Sequence, residues 1–356
     1  DEKSTGEESR FVKQLEFETN CTFSHRVQQN QSIENPRNLK IVVEKQGEVL
    51  KGLEKYFKRN STAKYDKKIS ATAFTDYVTC SLRFFYKNIA GLKEPKDLPD
   101  RIEANLIGSA LHTVMEVFYE SAVGAEVTAD YIKEREKKLK DLCEFALAKE
   151  LKLNTAKTGT QTPALQQIVL QVLEQYALKI LRNDEKLTPF KIEELENKSD
   201  YVMLYPMGKN RNIWLYGIID RVDVKDGKIR IVDYKTGKDQ LKYKDFPSLF
   251  EDQAKDQNKA LIQTLFYTYV YEQVKNRQYV EPHLYTVRNF KEGTLFKEKQ
   301  KGGLILQDQS LESFKSMFAN KLQEKLEELF DESIPFAQTE NKENCGYCPY
   351  KDICQR

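Results

Sequence analysis

From residue 69 onward the hydrophobic positions follow helical and strand periods in a readable order, whereas the first 68 residues do so only weakly. Residues 1–68 are polar and lysine-rich, and are read as a partly ordered lead-in from an upstream region. Within them LKIVVE (39–44) predicts a strand and GEVLKGLEKYFKRN (47–60) a helix. The polar start at Asp1 has the look of a piece cut from a longer protein. SATAFTDYVTCSLRFFYKNIAGL (70–92) predicts an aromatic-rich helix opened by a Ser or Thr cap. LIGSALHTVMEVFYESA (106–122) is an amphipathic helix, and two more helices are expected over about 128–150 and 163–183. Residues 190–237 read as β-structure. Residues 254–275 are helical again, 280–290 a strand and 310–331 a long helix.

The most informative stretch is WLYGIIDRVDVKDGKIRIVDYKTGK (214–238). Asp226-Gly227 is a strong two-residue hairpin signal, because both turn positions need φ > 0. Pairing outward sets Val224 opposite Ile229, Val222 opposite Ile231 and Asp220 opposite Asp233. Side chains alternate along a strand. Ile218, Asp220, Val222 and Val224 therefore share a face with Ile229, Ile231, Asp233 and Lys235. Opposed residues place their Cβ atoms about 4.5–5.5 Å apart. Two carboxylates that close on an apolar face repel each other and lose hydration, and a divalent cation removes the conflict. Lys235 is placed to orient a water or to offset charge on a phosphate. A surface hairpin with solvated acids is the plainer alternative.

Composition narrows the partners. Lys and Arg total 57 against 55 Asp and Glu, a net charge of +2, so any nucleic-acid site is a local groove. No stretch approaches the roughly 18 apolar residues of a membrane span, so no membrane contact is expected and a cytoplasmic location is. No GxxxxGK[ST] loop occurs, so this chain should not hydrolyse ATP by itself. The basic run KEREKKLK (133–140) is read as a solvated helix face. Of six cysteines, Cys345, Cys348 and Cys354 have the spacing to wrap one metal centre, with Cys80 the candidate fourth ligand. A zinc ion and an iron–sulfur cluster would use the same ligands. Cys21 and Cys143 are most simply unpaired thiols.

An Asp followed by Asp-x-Lys on adjacent strands resembles the core of the PD-(D/E)XK nuclease superfamily. GIIDRVD with IVDYKTGK is similar to its RecB/AddB branch. FTDYVTCSLRFFY, GSALHTVME, QTLFYTY (263–269) and CGYCPYKDIC resemble that branch's further motifs, in its order, from about Ser70 to Cys354. One departure is Ser81, where a proline is expected after Cys80. The resemblance implies an α/β fold with a mixed central β-sheet flanked by helices and additional helical elements, in a nuclease domain over 69–356. It implies a Mg²⁺ or Mn²⁺ ion held by His112, Asp220, Asp233 and the Tyr234 carbonyl, with Lys235 as the catalytic lysine. Gln263 and Tyr267 would line the site or touch DNA. It favours a [4Fe–4S] cluster on Cys80, Cys345, Cys348 and Cys354, with zinc as the alternative occupant. Taken alone, His112 is an ordinary helix histidine; Glu116, one turn on, is either its partner or solvated. The implied activity is that of a deoxyribonuclease, exonuclease favoured, on single-stranded or end-containing duplex DNA beside a helicase–nuclease partner subunit. A stand-alone single-strand exonuclease and a non-catalytic DNA-binding scaffold are the alternatives.

Overall fold

The computed structural model describes residues 9–24, 40–58, 67–93, 104–155, 163–196, 201–208, 211–237, 242–243, 245–251, 257–288, 290, 297–298 and 308–356. The chain divides into two units, Asp1–Leu39 and Lys40–Arg356. The first contains α1 (Arg10–Glu18), on which Phe11, Leu15 and Phe17 are exposed.

The second unit begins with β1 (Val42–Val43), α2 (Glu48–Glu54), β2 (Lys68–Ser70), α3 (Ala71–Thr79), α4 (Ser81–Phe84) and α5 (Ala104–Tyr119). It continues with β3 (Glu126–Val127), α6 (Ala129–Glu136), α7 (Leu139–Thr155) and α8 (Pro163–Leu187). Five strands follow: β4 (Phe190–Leu195), β5 (Tyr201–Pro206), β6 (Asn212–Gly217), β7 (Arg221–Lys225) and β8 (Lys228–Lys235). Last come β9 (Lys242–Tyr243), α9 (Lys259–Lys275), β10 (Glu281–Thr286), β11 (Lys297–Glu298), α10 (Asp308–Phe330) and β12 (Phe336–Ala337).

The main sheet has the order β10-β8-β7-β4-β3. It is mixed: β10 runs parallel to β8, and the other pairs are antiparallel. A second sheet, β2-β6-β5, accompanies it. The fold is thus the mixed α/β arrangement expected. The β7–β8 hairpin lies between two apolar clusters. Val222 and Ile231 face one, with Phe74 of α3 and Leu265 of α9. Val232 and Tyr234 face the other, with Leu111 of α5, Cys143 of α7 and Leu181 of α8.

The turn is the one the sequence asks for. Asp226 and Gly227 have φ of 52° and 79°, and the ladder runs from Lys225 opposite Lys228 to Arg221 opposite Val232. Asp220 lies one residue before β7, so the register carries it towards Asp233 without strand pairing.

Several local expectations change. The helix over 70–92 breaks at Cys80, whose backbone is extended, and resumes as α4 and a π-helical turn at Phe85–Ile89. The break lets the Cys80 sulfur meet the backbone N–H groups of Leu82, Arg83 and Thr339. The helix over 128–150 divides into α6 and α7. Within the basic run, Arg135 is not a solvated side chain. It donates to the Val117 carbonyl at 3.1 Å and rests on the Phe118 and Tyr131 rings. Residues 40–58 pack into the larger unit: β1 pairs with β12, and Lys45 Nζ donates to the Glu328 and Asp331 carbonyls at 2.8 and 2.9 Å. That cation lies at the C-terminus of α10, where the helix dipole favours it.

The rear face of the hairpin carries a charge network that the apolar pattern does not reveal. Arg221 is fully buried and grips Asp184 of α8 through both terminal nitrogens, at 2.6 and 3.1 Å. Its Nε lies 2.8 Å from Asp223, which also takes Arg230 Nε at 2.5 Å. Tyr119 and Tyr285 donate to the Asp184 carboxylate at 2.7 and 3.2 Å. Two guanidinium groups balance two carboxylates. Asp184→Ala leaves two buried guanidinium groups to share the Asp223 carboxylate, one buried positive charge uncompensated, and should cost about 3–5 kcal/mol. Urea unfolding beside the wild type measures this; a loss within the scatter of surface mutations would mean the network relaxes freely.

Candidate active site

The site lies where the hairpin ends meet α5. Asp220 and Asp233 are buried, with 8 and 3% side-chain exposure. Asp220 Oδ2 accepts the Tyr234 N–H at 2.8 Å, which pins the residue before β7 to the strand opposite. Asp220 Oδ1 lies 3.0 Å from His112 Nδ1. Lys235 Nζ donates to Asp233 Oδ1 at 3.0 Å and sits 2.9 Å from Oδ2, where its geometry forms no hydrogen bond. His112 and Lys235 are 27 and 23% exposed, so the centre opens to solvent on their side.

Two glycines sit at contacts around the centre, and at Gly217 a side chain would not fit. Gly108 lies one turn before His112 on α5, and a Cβ there would come within 3.4 Å of Thr236 Oγ1. At Gly217, the end of β6, a Cβ would come within 2.8 Å of the Tyr267 ring. Tyr267 is held beside the centre, close enough to feel the charges of Asp233, Lys235 and Asp220. Gln263, one turn earlier on α9, donates to Thr75 Oγ1 at 3.4 Å and thereby ties α9 to α3. Tyr234 places its backbone N–H at Asp220 while its ring packs on the opposite side of the sheet.

The electrostatics are those of two acids forced together. Burial pushes the Asp233 carboxyl up to about 6, and the Asp220 charge adds to that against the attraction of Lys235. Asp220 titrates below its usual range: burial opposes its charge, but His112, Lys235 and the Tyr234 N–H outweigh burial. For His112, burial opposes the imidazolium, yet Asp220 and Asp233 lift it to about 9. Lys235 is raised in the same way, with Asp233 overcoming its burial.

The residues fit a hard divalent cation. Asp233 Oδ2 is buried without a hydrogen-bond donor, and carboxylate oxygens with one imidazole suit Mg²⁺ or Mn²⁺. Among the described residues no three His, Cys, Asp or Glu side chains stand as a ready-made metal group. Here the charged side chains are turned towards each other: His112 towards Asp220, and Lys235 towards Asp233.

The second candidate centre lies at the chain's end. Cys80, Cys345, Cys348 and Cys354 line one small cavity, with Arg83, Tyr86 and Gln338. All four are free thiols, as are exposed Cys21 and buried Cys143. Burial raises Cys80, while three backbone N–H groups directed at its sulfur favour the thiolate. Ser81, in place of the expected proline, bonds both sides of the Ala337 peptide strand, accepting its N–H at 2.9 Å and donating to its carbonyl at 3.2 Å. Gln338 donates to the Cys354 carbonyl at 2.8 Å. The fold thus brings together cysteines far apart in sequence.

This is an α/β protein with paired acids and a lysine at the end of its central hairpin. Residues 68–355 match the PD-(D/E)XK nuclease superfamily, and the chain belongs to it. The superfamily is in general one of metal-dependent nucleases. Comparison with curated proteins gives no match.

Sequence reasoning missed Arg221, Asp223, Arg230 and Asp184, which brace from behind the face that carries Asp220 and Asp233. The alternation of Arg221 and Asp223 with Val222 and Val224 was the available signal. Gly217 carried none, since only the fold brings Tyr267 against it.

With His112 raised to about 9, metal entry would release a proton if the imidazole is a ligand. At neutral pH the imidazole is protonated and must lose its proton to become a ligand. Calorimetric titration with Mn²⁺ in buffers of different ionisation enthalpy should show release of about one proton near neutrality, declining above about pH 9. Affinity should fall as the solution is acidified. Equal heats in all buffers near neutrality would remove His112 from the ligand set.

Proposed function

We propose that this chain is a Mg²⁺- or Mn²⁺-dependent deoxyribonuclease of the RecB/AddB type, with exonuclease action favoured. In this reading residues 69–356 are the nuclease domain of a helicase–nuclease subunit that processes DNA ends during recombinational repair in the cytoplasm. The observation that carries it is the meeting of Asp220, Asp233, Lys235 and His112 at one end of the β7–β8 hairpin.

Asp220, Asp233 and His112 would hold the cation, with the Tyr234 carbonyl completing the ligand set. A bound divalent ion supplies Lewis-acid polarisation and a lowered pKa for water. Lys235 stays charged through the neutral range, and its tie to Asp233 fixes where that charge sits. It offsets the negative charge that grows on the phosphate during attack. Tyr267 bounds the site on the α9 side, and Gln263 holds α9 and α3 in register beneath the DNA strand.

The test is digestion of end-labelled single- and double-stranded DNA with Mg²⁺. Asp233→Ala should abolish cleavage with the fold intact; full activity in that variant overturns the assignment. Lys235→Ala should retain DNA and metal binding but slow the chemical step by about 10²–10⁴. Weaker binding with normal turnover per bound complex would make Lys235 a phosphate anchor only. Progressive shortening from an end supports exonuclease action; internal cuts in circular single strands oppose it.

We further propose that Cys80, Cys345, Cys348 and Cys354 hold a [4Fe–4S] cluster whose role is structural. Their convergence on one cavity supports a shared centre. Folding is coupled to filling such a site, which closes a long loop. Anaerobically purified protein should be brown and contain iron and sulfide, and Cys348→Ser should lose the colour and melt earlier. Anaerobic reconstitution that takes up zinc but never iron would leave a zinc staple in its place.

A further inference from the structure

We propose that Arg83, Lys87 and Lys259 form a subsite for a backbone phosphate of the DNA strand whose scissile bond lies at Asp220 and Asp233. This rests on the nuclease reading and adds to it where the strand leaves the catalytic centre.

Two of these cations grip one acid, and the third lies near enough to feel its charge. Asp76 of α3 is buried, with Arg83 Nε 2.8 Å from one oxygen and Lys87 Nζ 3.1 Å from the other. Both carboxylate oxygens are thus engaged. Arg83 Nε is itself buried and lacks a hydrogen-bond acceptor of good geometry. Lys259 makes no ion pair among the described residues. Burial and the nearby Arg83 lower its pKa, and Asp76 offsets them only in part. Lys259 is also the first residue of α9, where the helix's own partial charge is positive. Arg83 and Lys87 share one carboxylate with Lys259 close by, a local surplus of positive charge that stability does not ask for. Departures of that kind concentrate at functional sites. Arg83 and Lys87 remain 20 and 35% exposed, so a ligand can reach them.

The cluster is tied to the active site by the fold. Asp76 follows Thr75, which takes the Gln263 amide. Lys259, Gln263 and Tyr267 recur every fourth residue and form one stripe along α9. From Lys259 to Tyr267 the helix rises roughly 12 Å, a span of a few nucleotides. Tyr267 ends the stripe beside Asp233 and Lys235. The competing role for these cations is to balance the thiolates of the cysteine centre. Arg83 lines that cavity and the Cys348 and Cys80 charges reach Lys259, but Lys87 does not line it, so the binding test separates the two roles.

The experiment is equilibrium binding of oligothymidylates of increasing length in EDTA, by fluorescence anisotropy over a range of salt. Wild type is compared with Lys87→Gln, Lys259→Gln and Lys259→Arg, each checked by thermal melting and metal content. Each Gln variant should bind long oligonucleotides more weakly, and its log K against log salt should be shallower by about 0.7 for each phosphate no longer neutralised. Lys259→Arg should keep the wild-type slope. Unchanged affinity and slope in both Gln variants would overturn the subsite. So would a binding loss that tracks loss of metal from the cysteine centre, which would assign the cations there. If wild type fails to cleave DNA with Mg²⁺, the nuclease reading falls, while a charge-dependent salt slope would still uphold an anion subsite. Cleavage with unchanged slopes upholds the nuclease reading and overturns the subsite.

Discussion

The bidentate contact of Arg221 with Asp184 is the constraint on which the centre depends. It joins the first residue of β7 to α8 across a fully buried gap, next to the acid that sits one position earlier. Burying a guanidinium is costly unless its partners are fixed and its donors met. Here the tyrosines around it do part of that. The Tyr119 and Tyr285 hydroxyls bind the same carboxylate, while the rings of Tyr119, Tyr234 and Tyr285 lie 5.4–5.8 Å from the guanidinium carbon. The arrangement is specific because few other placements of β7 against α8 satisfy both carboxylate oxygens. A one-residue slip would exchange Arg221 for Asp220 and bury unpaired charge on both faces.

That hairpin also explains how far the sequence could be read. Its turn, register and alternation follow from local rules. Asp226-Gly227 fixes the loop, each pair outward is then determined, and the acids fall at the open end. What local rules do not contain is the second buried face. The helix–sheet contact with Asp184 makes Arg221 and Asp223 interior, and Asp184 is many residues away on α8. The break at Cys80 is similar. Helical periodicity runs through residues 70–92, and only the sulfur's partners at Thr339 and in α4 reward an extended backbone there. Residues 40–58 read as a lead-in because β1 is two residues long; its pairing partner, β12, lies at the other end of the chain.

The cysteine cavity and the β1–β12 pair act on the same region. Ser81, next to Cys80, is bonded to Ala337 of β12, and Ala337 pairs with Val42 of β1. Two segments from the first part of the larger unit and one from its end therefore meet near the thiols. A covalent or metal-mediated link between them would close loops spanning most of the domain, with a stabilising effect that grows slowly with loop length. Ser81 supplies through hydrogen bonds part of the fixation that a proline would supply through backbone stiffness. This accounts for a residue that departs from the expected motif at a place of close packing.

The two faces of the hairpin differ in whether their charges close on themselves. On the rear face, two arginines meet two acids, so the charges close on themselves and leave little demand for an outside ion. On the front face, Asp220 and Asp233 are compensated by His112 and Lys235 only if both stay protonated. Removing the His112 proton, which a ligand role requires, leaves two carboxylates against one ammonium with an oxygen of Asp233 still undonated. That residue of negative charge is what a divalent cation would neutralise. A monovalent ion would leave no positive charge to spare for an incoming phosphate. The same hairpin thus holds its shape with charges that are matched and presents to solvent charges that are not.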